Sequence, residues 1–274
     1  MTGAAPRLEA PTNEEDPRPD TAWWGVHAAR YAFAVRNLEF TRLLDVACGS
    51  GYGLSMLAAE HQQVIGVDVD RDALRSASQA APVLAADGCA LPFDDGTFDA
   101  ISSFETIEHL DHRDAFLAEL ARVLAPDGTL VLSTPNAVYT QPVNGRPRNP
   151  FHVFEYTPEE LLAALRRHFG DVRMLGQEID PRFSISPFWD DQQKLPKPPL
   201  AQARLLVWRV LNKVPPGKRD VISNLLWGHP LFPAENDYVF SEELVPTARV
   251  LVALATAPRA APLDVSDPSD RSMA

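Results

Sequence analysis

Short apolar runs alternate with helical stretches along most of the chain, and this alternation constrains the fold more than any other feature. Strands that alternate with helices form a mostly parallel sheet with both faces covered. Ligands of such sheets bind beyond the carboxyl ends of the strands. The runs predict a doubly wound, mostly parallel α/β sheet of seven strands, at residues 42–47, 63–69, 82–86, 98–104, 129–134, 172–179 and 248–255.

Charge and composition exclude several functional classes. The chain has 25 Lys and Arg against 37 Asp and Glu, and its formal net charge of −12 disfavours nucleic acids and anionic lipid as partners. Cys48 and Cys89 cannot build a disulfide framework and do not have zinc-type spacing. No apolar run approaches the length of a membrane span, and we expect a cytoplasmic protein with no integral membrane segment.

A glycine-rich turn, DVACGSGYG from Asp45 to Gly53, follows the first predicted strand. Its glycines let the backbone approach a ligand closely before the next helix begins. A dinucleotide site would need a third glycine where Leu54 stands, and Asp45 would repel a pyrophosphate. The carboxylate of Asp45 suits a ligand with a cationic amino group. A purely structural tight turn remains the alternative.

Two further acidic residues end the second and third predicted strands. Asp68 lies 19 residues after Gly49, where a carboxylate can accept hydrogen bonds from both hydroxyls of an adenosine ribose. Asp87, in the segment ADGCALPF, can accept from an adenine amino group. The alternative for an acid at a strand end is a helix cap, and Asp70 is placed to cap the helix that begins at Arg71.

The segments DVACGSGYG, GVDVD, ADGCALPF, DGTFDAISSFETIEHL and ARVLAPDGTLVLSTPN together resemble the class I S-adenosylmethionine-dependent methyltransferases. They are most similar to small-molecule and sugar O-methyltransferases, and the resemblance covers about residues 27–180. It implies a Rossmann-like methyltransferase sheet and S-adenosyl-L-methionine as cofactor. The family's first motif has glycine where this chain has Ala47, a substitution that is tolerable if the backbone there is extended.

The resemblance also implies roles for individual residues. The methionine part of the cofactor is expected at Asp45, Ala47, Gly49 and Gly51, and Arg30 and Tyr31 of a helix resembling the family's N-terminal lid are candidates for its carboxylate. A plain surface helix is the alternative for these two. The remaining cofactor-binding residues, near the ribose, the adenine and the end of the fourth strand, are expected to be Asp68, Val69, Asp87, Gly88, Cys89 and Phe104.

Methyl transfer to an alcohol needs a base, because a neutral hydroxyl is a poor nucleophile. His109 follows the fourth strand and His152 lies in the long loop after the fifth, so both are candidate catalytic bases. Both histidines have structural alternatives, in which Glu108 and His109 orient a loop and His152 orders another. No residue is assigned to a metal, and a metal requirement is left open.

The function expected from these residues is methyl transfer from S-adenosyl-L-methionine to a hydroxyl of a small-molecule acceptor, such as a sugar or a secondary metabolite. The alternatives are an N- or C-methyltransferase of a small natural product and a non-catalytic protein that binds S-adenosylmethionine. Nucleic-acid methylation is disfavoured by the charge and by the absence of a base-flipping motif after the fourth strand.

Residues 180–246 interrupt the alternation of strands and helices and are rich in tryptophan and proline. We predict a mainly helical insertion before the last strand that caps the acceptor, with apolar walls from Phe183, Phe188, Trp189 and Trp227. A subunit contact in a homodimer or a peripheral membrane face is the alternative. The insertion belongs to a single predicted domain, 21–260, between a disordered leader, 1–20, and a disordered tail, 261–274.

Overall fold

The computed structural model describes residues 22–60, 63–183 and 199–259. The predicted leader and tail, and Phe188 and Trp189 of the predicted insertion, lie outside these ranges. Within them, no helix is both long and apolar enough to cross a membrane.

One sheet organises the described residues, and its strand order is β3-β2-β1-β4-β5-β8-β6-β7. The first five strands in this order are parallel, as expected for strands joined by helices. The strands are β1 Leu43–Val46, β2 Val64–Asp68, β3 Val83–Ala85, β4 Phe98–Phe104, β5 Leu124–Pro135, β6 Phe169–Ile179, β7 Tyr238–Ser241 and β8 Val250–Pro258.

The prediction of seven mostly parallel strands was wrong in number and in part of the orientation. The sheet has eight strands, and β8 is antiparallel to both β5 and β6. The additional strand, β7, is only four residues long and lies inside the segment predicted as an insertion. A run this short does not stand out in the sequence, and a hydrophobic pattern carries no information on strand direction.

The strands alternate their side chains between two apolar clusters, which accounts for a sheet covered on both faces. In β1, Leu44 and Val46 join one cluster, to which α4 and α6, defined below, contribute, whereas Leu43 joins the other. In β5, Leu130 and Leu132 join the first cluster. This double burial explains why the central strands are apolar runs without alternation.

The helices begin and end at recognisable signals. Thr157 caps α6 in a capping box with Glu160, and Pro158 occupies its first turn, as the sequence predicts. Asp70 caps α3 through the backbone N–H groups of Asp72 and Ala73. The helices are α1 Ala22–Asn37, α2 Tyr52–Glu60, α3 Arg71–Ala77, α4 Arg113–Val123, α5 Ala137–Thr140, α6 Pro158–His168, α7 Pro199–Leu211 and α8 Pro216–Trp227.

The chain divides into two compact units. The first contains Tyr31–Glu178 and the described residues from Phe240 onward, and the second contains the start of α1 up to Arg30 together with the described part of Ile179–Val239. The first unit carries the glycine-rich turn and the acidic strand ends. The second unit corresponds to most of the predicted insertion.

The second unit has an apolar centre of its own. Trp208, Leu211 and Leu231 are buried together, and Trp227 packs against them. The guanidinium of Arg219 lies 4.2 Å from the ring centroid of Phe232, a cation–π contact. Both α7 and α8 therefore contribute to one small core.

Candidate active site

The glycine-rich turn after β1 depends on left-handed backbone. The φ angles of Ala47, Gly49 and Gly51 are 62°, 53° and 87°. A Cβ at Gly51 would lie 2.5 Å from the Cα of Ala77, so this position admits only glycine. The condition under which alanine would be tolerable at this position, extended backbone, is not met, because the φ angle of Ala47 lies in the left-handed region. An L-residue in this region costs about 1–2 kcal/mol.

Asp45 is a fully buried carboxylate at the start of this turn. Its Oδ1 accepts a hydrogen bond from the Ser102 hydroxyl at 2.6 Å, and its Oδ2 accepts one from the Tyr31 hydroxyl at 3.1 Å. Burial raises the pKa of Asp45 to about 7; the two hydrogen bonds oppose the rise, and the nearby Asp68 carboxylate adds to it. A cationic group beside Asp45 would stabilise the ionised form.

Aromatic rings cover the carboxylate of Asp45. The ring of Tyr31 packs edge-on against Tyr52 and Phe104, with centroids 5.3 Å and 4.8 Å away. A Cβ at Gly53 would lie 2.0 Å from the Tyr31 ring, so the last glycine of the turn makes room for that ring. Arg30, the other predicted candidate for the methionine carboxylate, belongs to the second unit and bonds to the Val26 carbonyl.

Asp68 ties the end of β2 to the glycine-rich turn. Its Oδ2 accepts from the Gly49 N–H and its Oδ1 from the Asp70 N–H, both at 2.8 Å. A carboxylate oxygen has two lone pairs, so each oxygen can accept a second hydrogen bond from a ligand hydroxyl. The next residue, Val69, is 70% exposed and offers an apolar surface beside this carboxylate.

The predicted adenine-binding segment forms a tight turn after β3. The Oδ1 of Asp87 accepts from the Cys89 N–H at 2.8 Å, and the Asp87 side chain is exposed. A Cβ at Gly88 would lie 2.8 Å from the Phe116 ring, so glycine permits close packing there. Burial and the Asp87 charge raise the pKa of the Cys89 thiol to about 11, which keeps it protonated at neutral pH.

The two candidate bases lie side by side although 43 positions separate them in the chain. The rings of His109 and His152 pack edge-on with centroids 4.9 Å apart. Backbone N–H groups of Val153 and Phe154 both donate to the Glu108 carbonyl, at 2.8 Å and 3.2 Å, and hold the loop after β5 against the turn after β4. The sequence places both histidines after strands whose carboxyl ends share one edge, and the structure brings their rings into contact.

The hydrogen bonds of the two histidines differ. The Nδ1 of His109 lies 2.9 Å from the Phe151 carbonyl, which can only accept, so Nδ1 donates and, in the neutral ring, Nε2 is the acceptor. His152 donates through Nδ1 to Glu155 at 2.6 Å, and its Nε2 lies 2.9 Å from the Asn149 amide nitrogen. The Asn149 amide donates to the Nε2 of His152, so this nitrogen is not available to accept a proton in this arrangement.

Two carboxylates support this pair of histidines. Glu108 is fully buried, and its Oε2 accepts from the Thr134 hydroxyl at 2.9 Å. The hydrogen bonds from His152 and from the Thr140 hydroxyl hold the pKa of Glu155 below its usual value, although burial works in the opposite direction. Both carboxyl groups lie within the site after β4 and β5.

Several of these functional contacts were missed in the sequence. Ser102 was part of a predicted strand and was not singled out, although a polar residue in a buried strand is itself a signal. The parallel register pairs Asp45 directly with Ser102. Thr134 ends a predicted strand and Asn149 lies in the loop that follows it. Nothing in the sequence links these two residues to a histidine or to Glu108.

Comparisons with known proteins show that part of the first unit is similar to methyltransferases. The family described as "Methyltransferase domain" matches residues 44–132, which include the glycine-rich turn and the acidic strand ends. A "Probable S-adenosylmethionine-dependent methyltransferase" of Mycobacterium tuberculosis is 36% identical over 164 residues, 58% of this chain and 60% of the relative. A fatty-acid O-methyltransferase of Mycolicibacterium smegmatis is 28% identical over 191 residues, 66% of this chain and 65% of the relative.

A solved structure supports the fold. A methyltransferase of Thermotoga maritima, described as dependent on S-adenosylmethionine, superposes with a TM-score of 0.54 at 14% identity, over 85% of this chain and 89% of the other. The chain spans about three fifths of the length of the curated relative from M. tuberculosis. Residues 44–132 therefore resemble a methyltransferase domain in sequence, and the described residues resemble a solved methyltransferase in fold.

Proposed function

We propose that this protein transfers the methyl group of S-adenosyl-L-methionine to a hydroxyl of a small molecule, such as a sugar or a secondary metabolite. The observation that carries the proposal is the position of His109 beyond the end of β4, where its Nδ1 lies 2.9 Å from the Phe151 carbonyl, so that the neutral ring presents Nε2 as a proton acceptor. A hydroxyl acceptor needs a proton acceptor of this kind, whereas an amine does not. The similarity to an O-methyltransferase of M. smegmatis supports transfer to oxygen.

The proposed step is a direct displacement. The acceptor oxygen forms a bond to the methyl carbon, and the bond between methyl and sulfur breaks with its electron pair going to sulfur. The Nε2 atom of His109 takes the hydroxyl proton. Because the sulfonium is already activated, the protein needs only to align the acceptor and to exclude water.

The cofactor residues divide by chemistry. We assign Asp45 as the partner of the cationic amino group of the methionine part. Tyr31 and Phe104 are assigned as neighbours of that part of the cofactor. The two ribose hydroxyls are assigned to the second lone pairs of Asp68. The adenine is assigned to the turn after β3, with Asp87 as the acceptor for its amino group and Val69 as an apolar contact.

Two alternatives stay open to test. An N- or C-methyltransferase would keep the cofactor residues and would not need His109. A non-catalytic protein would bind the cofactor and never consume it. The capping role of residues 180–246 and the homodimer remain predictions.

The test measures consumption of S-adenosylmethionine by the purified chain with a panel of sugars, phenols, fatty acids and amines, and identifies the product by mass. We expect an O-methylated product. Replacement His109→Ala should lower kcat by about 10²–10⁴ with the cofactor Kd unchanged. His112→Ala is the matched control, since His112 is an exposed histidine whose side chain makes no cap contact to α4.

Other outcomes would contradict the proposal. An N- or C-methylated product would favour the first alternative, and full activity of His109→Ala toward a hydroxyl would remove the role assigned to His109. Tight cofactor binding without turnover on any acceptor would favour the non-catalytic alternative.

A further inference from the structure

Glu108, His109 and His152 bring three metal-ligating side chains to one point. Each offers one ligand atom, and the three atoms all lie within 4.8 Å of one another. The His109 Nε2 is 4.0 Å from the Glu108 Oε1. Two histidines and one carboxylate are a ligand set that binds divalent transition metals.

The hydrogen bonds around these residues point their ligand atoms inward. Each histidine donates its Nδ1–H to an oxygen acceptor, His109 to the Phe151 carbonyl and His152 to the Glu155 carboxylate. This leaves both Nε2 atoms as the metal-binding nitrogens. Metal-ligating histidines almost always donate their other N–H to a carboxylate or a carbonyl, which fixes the ring and raises its basicity.

Glu108 and Glu155 are supported in the same way. The Thr134 hydroxyl holds one oxygen of Glu108, and the Thr140 hydroxyl donates to Glu155, which in turn orients His152. Both carboxyl side chains are about 1% exposed. A buried carboxylate is costly unless a positive charge or hydrogen bonds stabilise it, and a divalent cation would supply that charge.

We propose that Glu108, His109 and His152 bind a divalent first-row transition metal such as zinc, with Glu155 positioning His152. Bonds of about 2.1 Å would hold the ligand atoms about 3.0–3.4 Å apart, so the three side chains must close by roughly 1 Å. The Asn149 amide must release the Nε2 of His152. Three protein ligands leave coordination positions open for a water or a hydroxyl.

The role of this metal in catalysis rests on the proposed function. A metal-bound hydroxyl loses its proton far more readily than a free one, and the proton then passes to solvent water. The oxygen forms the bond to the methyl carbon, and the electron pair of the methyl–sulfur bond goes to sulfur. This route is an alternative to the base route above: with a metal bound, the Nε2 of His109 holds the metal, and without one it takes the proton.

The test measures metal binding by the full-length, untagged protein without cofactor or acceptor. Chelator-treated protein is titrated with zinc chloride by calorimetry and with cobalt chloride by visible absorption. We expect about one equivalent to bind. The variants Glu108→Gln, His109→Ala and His152→Ala should each lose at least tenfold in affinity, and Glu155→Gln about 10–100-fold.

His112→Ala is the control and should bind as the wild type does. Because Glu108 is buried, its replacement is the isosteric glutamine, and thermal unfolding checks that every variant is folded. Undetectable zinc and cobalt binding, or equal affinity in the wild type and in folded His109→Ala and His152→Ala, would overturn the proposal. Hydrogen bonding alone would then explain the cluster.

A separate readout distinguishes this failure from that of the proposed function. Metal binding at these residues with no O-methylated product would leave the metal site standing and remove the proposed reaction. An O-methylated product formed equally well after chelator treatment, with no metal bound, would keep the reaction and overturn the role of the metal in it.

Discussion

Cofactor binding is expected to weaken about eightfold when the pH falls from about 7.5 to about 6, because Asp45 must lose a proton before it can pair with a cation. The carboxylate is fully buried and has a pKa of about 7. The amino group of S-adenosylmethionine is mostly cationic in this range, since an ordinary α-amino pKa is about 7.7–8.0. Only the ionised form of Asp45 attracts that group.

The magnitude follows from the ionised fraction. With a pKa of about 7, about one tenth of Asp45 is ionised at pH 6 and about three quarters at pH 7.5. The apparent Kd changes by the ratio of these fractions, about eightfold. Ser102→Ala removes a hydrogen bond that lowers this pKa, so that variant should shift the dependence to higher pH.

The assay is calorimetric titration with S-adenosylhomocysteine, which keeps the amino group and is chemically stable. Asp45→Asn cannot ionise, so it should bind more weakly than the wild type at pH 7.5 and lack this pH dependence. Equal wild-type affinity at both pH values, or the same dependence in folded Asp45→Asn, would refute the reasoning.

The same pKa makes a prediction for stability. The folded chain holds the Asp45 proton more tightly than the unfolded chain, whose carboxyl has a pKa near the ordinary 3.8. The contribution of this group to the free energy of unfolding is therefore present below about pH 4 and is lost as the pH rises through about 7. Urea denaturation measures the free energy of unfolding at each pH. As the pH rises from about 4 to about 7, this free energy should fall in the wild type relative to Asp45→Asn.

The remaining predictions concern the turn, the ribose and the second unit. Ala47→Gly should raise the free energy of unfolding by roughly 0.5–1 kcal/mol, since relief of left-handed strain exceeds the added chain entropy; urea denaturation measures it, and a loss of stability would contradict it. Asp68→Ala should weaken cofactor binding by about 1.5–3 kcal/mol because two charge-assisted hydrogen bonds are lost; unchanged calorimetric affinity in a folded variant would place the ribose elsewhere. Trp227→Ala should raise the acceptor KM without changing cofactor affinity, whereas Leu225→Ala, at an 86% exposed position of the same helix, should leave both unchanged; normal kinetics with altered sedimentation would instead indicate a subunit contact.

The parallel half of the sheet could be predicted because most of its strands are buried apolar runs and intervening helices have local signals. Asp70 as a cap and Thr157 with Glu160 as a capping box are properties of a few neighbouring residues, so the sequence carries them. The direction of β8 could not be predicted in this way. The direction of this strand depends on the path of the chain through the second unit, and local sequence patterns do not reveal that path.

The site shows the same division. Asp45, Asp68 and Asp87 could be placed at strand ends from their spacing, because parallel strands share one carboxyl edge. The left-handed backbone of Ala47 could not be predicted, since alanine rarely adopts it and local preference favours an extended or helical residue. Tertiary contacts at the turn override that preference.

The sequence predicts only that His109 and His152 both lie near the carboxyl edge of the sheet. Their edge-on contact depends on the backbone bonds from Val153 and Phe154 to Glu108, which join distant parts of the chain. The metal site follows from the orientation of the Nε2 atoms, and a sequence does not contain that orientation. The sequence therefore leaves open whether the protein requires a metal.

The most direct test of the central claim is transfer of a carbon-13 methyl group from labelled S-adenosylmethionine to a hydroxylated acceptor, followed by nuclear magnetic resonance and mass analysis of the product. We expect a methyl ether, formed in one-to-one amount with S-adenosylhomocysteine and lost in His109→Ala but not in His112→Ala. A label found on nitrogen or carbon would contradict it, as would a cofactor that binds and is not consumed with any acceptor.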